Sequence, residues 1–143
     1  MSDAPRIRMI LFATDFSDAS TKAGRSAAEF ARHFGARLHV LHVVPPATDP
    51  TLAPGQMAQA VVDLGPGLTI TTEIGVGLAA RQIVASARRQ SADLIVIGTH
   101  GRTGLSHVLL GSVAEGVVRR APCRVLTVPA RTPDEQAEAD TPE

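Results

Sequence analysis

Residues 9–44 read MILFATDFSDASTKAGRSAAEFARHFGARLHVLHVV, and the order of patterns in this stretch decides the fold. Met9 to Ala13 is a continuous apolar run, the mark of a strand buried on both faces. Ser17 follows as a helix cap, with Asp18 in the first turn to complement the helix dipole. Ala19, Ala23, Ala27, Phe30, Ala31 and Phe34 then recur at helical spacing, and Gly35 supplies the stop. Leu38 to Val44 returns to a strand pattern and halts at Pro45-Pro46. Strand, helix, strand in this order implies a right-handed crossover between parallel strands.

The alternation continues along the chain. Leu68 to Ile74 alternates apolar and polar residues, which predicts a strand near a sheet edge with one face exposed. Asp93 to Ile97 and Arg124 to Val128 are two further short apolar runs, the second closed by Pro129. Ala80, Ile83, Val84 and Ala87 predict a helix before the fourth strand. Val113, Val117 and Val118 predict another before the fifth, with Arg119 and Arg120 in its last turn and Pro122 as terminator. Residues 45–67 are rich in proline, so the second crossover is predicted to be short or partly irregular, with a helix of about two turns around Pro54 to Leu64. The sum is a doubly wound α/β domain, a parallel sheet with helices on both faces.

A chain of 143 residues fits one domain, and its 44% apolar and 20% charged residues are an ordinary globular balance. No run approaches the ~18 apolar residues of a membrane helix, so no membrane partner is expected. Met1 to Arg8 lacks the apolar core of a secretory signal. Cys123 is the only cysteine, which excludes an intrachain disulfide and points to a cytoplasmic protein. The zero net charge hides an asymmetry. Residues 1–130 hold 13 basic groups against 9 acids, whereas residues 131–143 hold one Arg against five acids. A body this mildly basic, with Phe as its only aromatic type, does not read as a nucleic-acid binder. The expected division is a domain over 1–130 and a disordered acidic tail over 131–143.

In open α/β sheets ligands sit beyond the carboxyl ends of the strands. The richest of those ends runs from Gly98-Thr99-His100-Gly101 through Arg102 to Gly111-Ser112. Glycine straight after a strand admits a ligand close to the backbone, and the free amides opening the last helix favour an anion. A phosphate cradle and a long turn with glycines for geometry stand level on glycine count alone. A phosphate-loop NTPase is excluded because the only lysine, Lys22, lies in the first helix. A nicotinamide-dinucleotide fold is excluded as well. Thr14-Asp15-Phe16-Ser17 follows the first strand where glycines belong, and no acid ends the second.

The spacing Gly98-x2-Gly101-x9-Gly111-Ser112 resembles the ATP-binding signature of the universal stress protein family. Ala13-Thr14-Asp15-Phe16-Ser17, Leu41-His42-Val43-Val44 and Arg120-Ala121-Pro122-Cys123 resemble its other segments, so the likeness spans Ile10 to Val128. The resemblance implies a five-stranded Rossmann-like sheet, akin to the adenine nucleotide alpha hydrolases, in the order 3-2-1-4-5. It implies ATP, or AMP or ADP, with Mg2+ as cofactor. Gly98 and Gly101 would pass ribose and phosphates, and Gly111, Ser112 and Val113 would hold phosphates. Asp15, Ile97 and the backbone at Val43 would border adenine, with Asp15 accepting a hydrogen bond, and Ala13 and Thr14 would belong to the same binding site. His100 and Arg102 would reach phosphate from the loop. The resemblance also implies a homodimer through the last strand, Arg124 to Val128. Two departures stand out: the segment between the second and third strands is short, and Leu78-Ala79 replaces an Asp-Pro turn.

Each role has a plainer counterpart. Asp15 could simply help Ser17 cap the first helix, and Arg102, His100 and His107 could be solvated loop residues. His39 and His42, three apart on a strand, point to opposite faces and cannot share a metal. Gly104-Leu105-Ser106-His107-Val108 lacks the closing glycine of a nucleophile elbow. Cys123 reads as small core filler rather than a reactive thiol. The resemblance implies a nucleotide-binding stress sensor, and the lack of a phosphate-loop lysine and of an evident general base speaks against an efficient enzyme. A dimeric interaction module without nucleotide, and a slow ATPase or autophosphorylating switch, are the alternatives.

Overall fold

The computed structural model describes residues 6–99 and 110–130. Its central strand is β1 (Met9–Ala13), in which every residue is buried. Buried backbone must be paired, and β1 pairs on both sides, with β2 (Arg37–Val44) and with β4 (Leu94–Gly98). Outside these lie β3 (Ile70–Val76) and β5 (Arg124–Val128). All pairings are parallel and the order is β3-β2-β1-β4-β5.

Side chains alternate across the sheet and build two separate cores. On one face Ile10, Phe12, Leu38, Val40 and Val96 pack under α1 (Asp18–Phe34) and α2 (Ala53–Leu64). On the other, Leu11, Ala13, Leu41, Ile95 and Ile97 pack under α3 (Ala79–Arg89) and α4 (Ser112–Arg120). Ile10, Leu11, Leu38, Leu41 and Ile95 are fully buried. Each such side chain contributes about 1.5–3 kcal/mol.

Helix α1 starts where the sequence puts it: Ser17 accepts from the Ser20 amide, and Gly35 closes the helix at φ 64°. Its buried stripe is made of small residues, Ala19, Ala23, Gly24, Ala27 and Ala31. Phe30 and Phe34, which spacing put on that stripe, stand at its exposed margin with their rings stacked. In α4 only Ala114 and Val117 are buried, while Val113 and Val118 are exposed, so the apolar stripe there is narrower than the valines suggested.

The second crossover differs from expectation. A 3-10 turn over Pro50–Leu52 leads into α2, which has 12 residues and about three turns rather than two. Proline in its first turn costs no helical hydrogen bond, and Met57 and Leu64 anchor it to the core. Arg32 of α1 finishes it, donating to the carbonyls of Leu64 at 2.8 Å and Pro66 at 3.0 Å. The third strand also begins later, at Ile70 rather than Leu68, and pairs with Leu38–Val44 residue for residue. The fourth begins at Leu94 and takes in Gly98.

The β3 edge is held by a polar cluster beneath α3. His39, only 4% exposed, donates from Nε2 to Glu73 Oε1 at 2.8 Å and lies 2.6 Å from Thr71 Oγ1 through Nδ1. Ser86 and Arg89 of α3 donate to the same carboxylate, at 2.7 and 2.5 Å. Burial alone would raise the Glu73 pKa, but the His39 and Ser86 hydrogen bonds and the Arg89 charge outweigh it and hold it below the ordinary value. Cys123 is half-buried against the second core, and that burial pushes its thiol up. This agrees with a filling role rather than a reactive one.

Candidate functional site

A cavity of about 220 Å³ opens at the carboxyl ends of β1 and β4. Six segments reach it. The turn after β1 contributes Ala13, Thr14 and Asp15; β2 contributes Leu41 and Val43; the end of β4 contributes Ile97 and Gly98. The first turn of α4 brings Gly111, Ser112, Val113 and Ala114, and α3 brings Ala79 and Ile83. Ser20 of α1 completes the wall.

Nine residues singled out from sequence therefore share one cavity: Ala13, Thr14, Asp15, Val43, Ile97, Gly98, Gly111, Ser112 and Val113. The readings placed on His100, Gly101, Arg102 and His107, and on the tail 131–143, fall outside the described residues. Sequence reasoning passed over Leu41, Ala79, Ile83, Ala114 and Ser20. Strand periodicity could have found Leu41, two residues from Val43 on the same face. Helical spacing joins Ala79 to Ile83.

Three helix N-termini face this region: α3 opens at Ala79, after Leu78 and without a side-chain cap, and α1 and α4 differ in how their amides are satisfied. At α1, Asp15 Oδ1 accepts from the Ser17 amide at 2.9 Å and from the Ser20 hydroxyl at 2.7 Å. Ser20 Oγ in turn accepts from the Asp15 amide at 3.1 Å, closing a ring. That carboxylate meets the positive end of the α1 dipole from within the chain. Helix α4 starts at Gly111, which has no side chain to cap it. Its terminus carries the partial positive charge that attracts an anion from outside. The plainer role of Asp15, as a helix-start carboxylate, is thus realised in the structure.

Gly98 has a packing reason of its own. A Cβ there would fall 2.9 Å from the carbonyl carbon and oxygen of Ala19, so glycine lets α1 begin directly against β4. Phe16 takes a left-handed backbone, φ 65°, at a cost of about 1–3 kcal/mol for a large side chain. The surrounding turn holds it, with Thr14 Oγ1 accepting from the Phe16 amide at 3.0 Å. His39 and His42 do lie on opposite faces, the former under α3 and the latter stacked on Phe16. Among the described residues no cluster of three or more His, Cys, Asp or Glu could hold a metal.

A doubly wound sheet in this order, with its cavity at the carboxyl ends of the two middle strands, defines a Rossmann-like α/β protein. The family model described as universal stress protein family matches residues 6–129, and the chain belongs to that family. It is 38% identical over 138 residues to universal stress protein MJ0531 of Methanocaldococcus jannaschii, covering 85% of this chain and 81% of the relative. Among solved structures it is similar to a universal stress protein in complex with cAMP, at 28% identity and TM-score 0.73, covering 88% of this chain and 99% of that one. It is also similar to the Archaeoglobus fulgidus universal stress protein in complex with dAMP, at 26% identity and TM-score 0.70, covering 87% and 99%. Among the described residues no helix is long and apolar enough to cross a membrane.

Proposed function

We propose that this universal stress protein binds an adenine nucleotide, ATP foremost, in the cavity between β1, β4 and α4, and acts as a dimeric regulator. The observation that carries the reading is the pairing of an apolar wall with an α4 N-terminus that has no side-chain cap. Leu41, Val43, Ile97 and Ile83 suit the faces of a purine, and the backbone of the β2 end can pair with its edge. The α4 amides at Ser112 and Val113 and the Ser112 hydroxyl suit phosphate. Asp15, the one carboxylate on the wall among the described residues, repels phosphate and so directs the charged end of the ligand towards α4. The relatives solved with cAMP and dAMP support an adenine nucleotide. Mg2+ would arrive on the phosphates with its waters, since Mg2+ is commonly held by one or two carboxylates plus substrate phosphates. The proposed role is binding rather than rapid turnover: Asp15 Oδ1 is committed to Ser17 and Ser20, and among the described residues no lysine lines the cavity.

The test is release of ligand. Purified protein is denatured and the supernatant resolved by ion-exchange chromatography; the lack of Trp and Tyr leaves the near-ultraviolet absorbance to bound nucleotide. Gly111 has an extended backbone, φ −60° and ψ 158°, that valine adopts readily. Gly111→Val should therefore keep the fold, by circular dichroism, and weaken ATP at least about tenfold in calorimetric titration. Unchanged affinity would remove α4 from the site, and a wild-type protein that neither carries nor binds nucleotide would favour an interaction module.

A further inference from the structure

The turn that forms one wall of the cavity is braced from the neighbouring strand. His42 Nδ1 lies 2.8 Å from the backbone carbonyl of Thr14. A carbonyl can only accept, so Nδ1 must carry the proton. That proton is present both in the Nδ1–H tautomer and in the imidazolium, and the contact survives either state. The imidazole also stacks on Phe16, with ring centroids 4.2 Å apart and planes tilted by 34°. Phe16 is the residue with the left-handed backbone. Thr14 and Asp15, immediately before it, line the cavity. His42 and Val43 are consecutive on β2 and point to opposite faces, so one strand end supplies both a wall and a brace.

We propose that His42 is a positioning residue of the nucleotide site: its hydrogen bond to Thr14 and its stack on Phe16 hold the Thr14–Ser17 turn in its left-handed form and thereby set where Thr14 and Asp15 meet the ligand. The proposal rests on the nucleotide reading above, but its first readout does not. Ring-nitrogen NMR shifts of His42 at neutral pH should report the Nδ1–H tautomer, the less common one for free imidazole. The second readout uses two substitutions. His42→Phe keeps a stacking ring but leaves the Thr14 carbonyl without its donor; His42→Asn keeps an N–H near the Nδ1 position and loses the ring.

His42→Phe should displace the amide resonances of Asp15, Phe16 and Ser17 and weaken ATP roughly tenfold, with melting temperature within a few degrees of wild type. His42→Asn should recover most of that affinity. An Nε2–H tautomer in the wild type would overturn the proposal, and so would His42→Phe with unmoved turn amides and unchanged ATP affinity. If the wild type binds no adenine nucleotide, the function proposed above fails. The tautomer and the turn resonances then still decide whether His42 braces the turn. Should His42→Phe not fold, the wild-type tautomer and His42→Asn carry the decision.

Discussion

Gly98 sits where sequence logic sees a ligand and the structure sees a helix. Its missing side chain makes room for the backbone of Ala19, and backbone cannot step aside as a flexible side chain would. Gly98→Ala should therefore cost about 1–3 kcal/mol of stability by overpacking, read as a lower denaturant midpoint. A neutral Gly98→Ala would mean that α1 can slide along β4, and the close approach would lose its importance. The glycine was legible as a point of close approach, but not what approaches. That partner lies nearly 80 residues away in sequence, and local pattern holds no record of it. The same limit hid Ser20. Its hydroxyl looks like an ordinary first-turn serine until folding closes the ring with Asp15. Asp15 and Ser17, by contrast, were readable as a cap because the capping bonds span only a few residues.

Among the elements, strands were easier to read than helix lengths. The runs at β1, β2, β4 and β5 are apolar because both sheet faces are covered, and that signal needs no partner to be recognised. Helix α2 was placed on nearly the right residues, Pro54 to Leu64 against Ala53–Leu64, but was credited with two turns where its 12 residues make about three. The bond from Arg32 of α1 that secures its end comes from 32 residues away and left no local signal. The β3 edge likewise owes its attachment to distant groups, His39 of β2 and Ser86 and Arg89 of α3, all directed at Glu73. This cluster has a pH signature. Glu73 titrates below its ordinary value of 4.5 in the folded state, so its ionised form stabilises the fold above that value. The contribution is lost as the pH falls through the depressed folded value. Thermal melts of wild type and Glu73→Gln should thus differ at neutral pH, with the wild type the more stable, and converge in acid. A gap that stays constant from neutral to acid pH would show that the carboxylate charge is not what secures β3.

For the whole molecule, the proposed dimer turns on the outer flank of β5, which pairs with no strand among the described residues. The Thr99 amide donates to the Val128 carbonyl at 3.0 Å. By the two-residue alternation of a parallel ladder, Val128, Leu126 and Arg124 then aim their polar backbone groups at β4, and Val125 and Thr127 aim theirs outward. The proposed dimer would pair these outward groups across a two-fold axis. Thr127→Pro removes an outward donor while leaving the β4 ladder whole, so it should yield folded monomer in sedimentation. A Thr127→Pro protein that still dimerises would put the interface elsewhere. The strand order has another consequence, felt before the protein is complete. β1 pairs with Leu38–Leu41 on one side and with Leu94–Ile97 on the other, so its two flanks are finished at different times. A chain leaving the ribosome can assemble β1, β2 and β3 while β4 is still being translated. At about 5–20 residues per second, the interval from Val76 to Ile97 lasts on the order of one to four seconds. Throughout it, a strand whose five residues are all buried in the finished fold offers a bare flank to any neighbouring nascent chain. Synthesis is thus a stage at which wrong pairing is open to this chain, and β1 is the strand whose late flank a chaperone would have to shield.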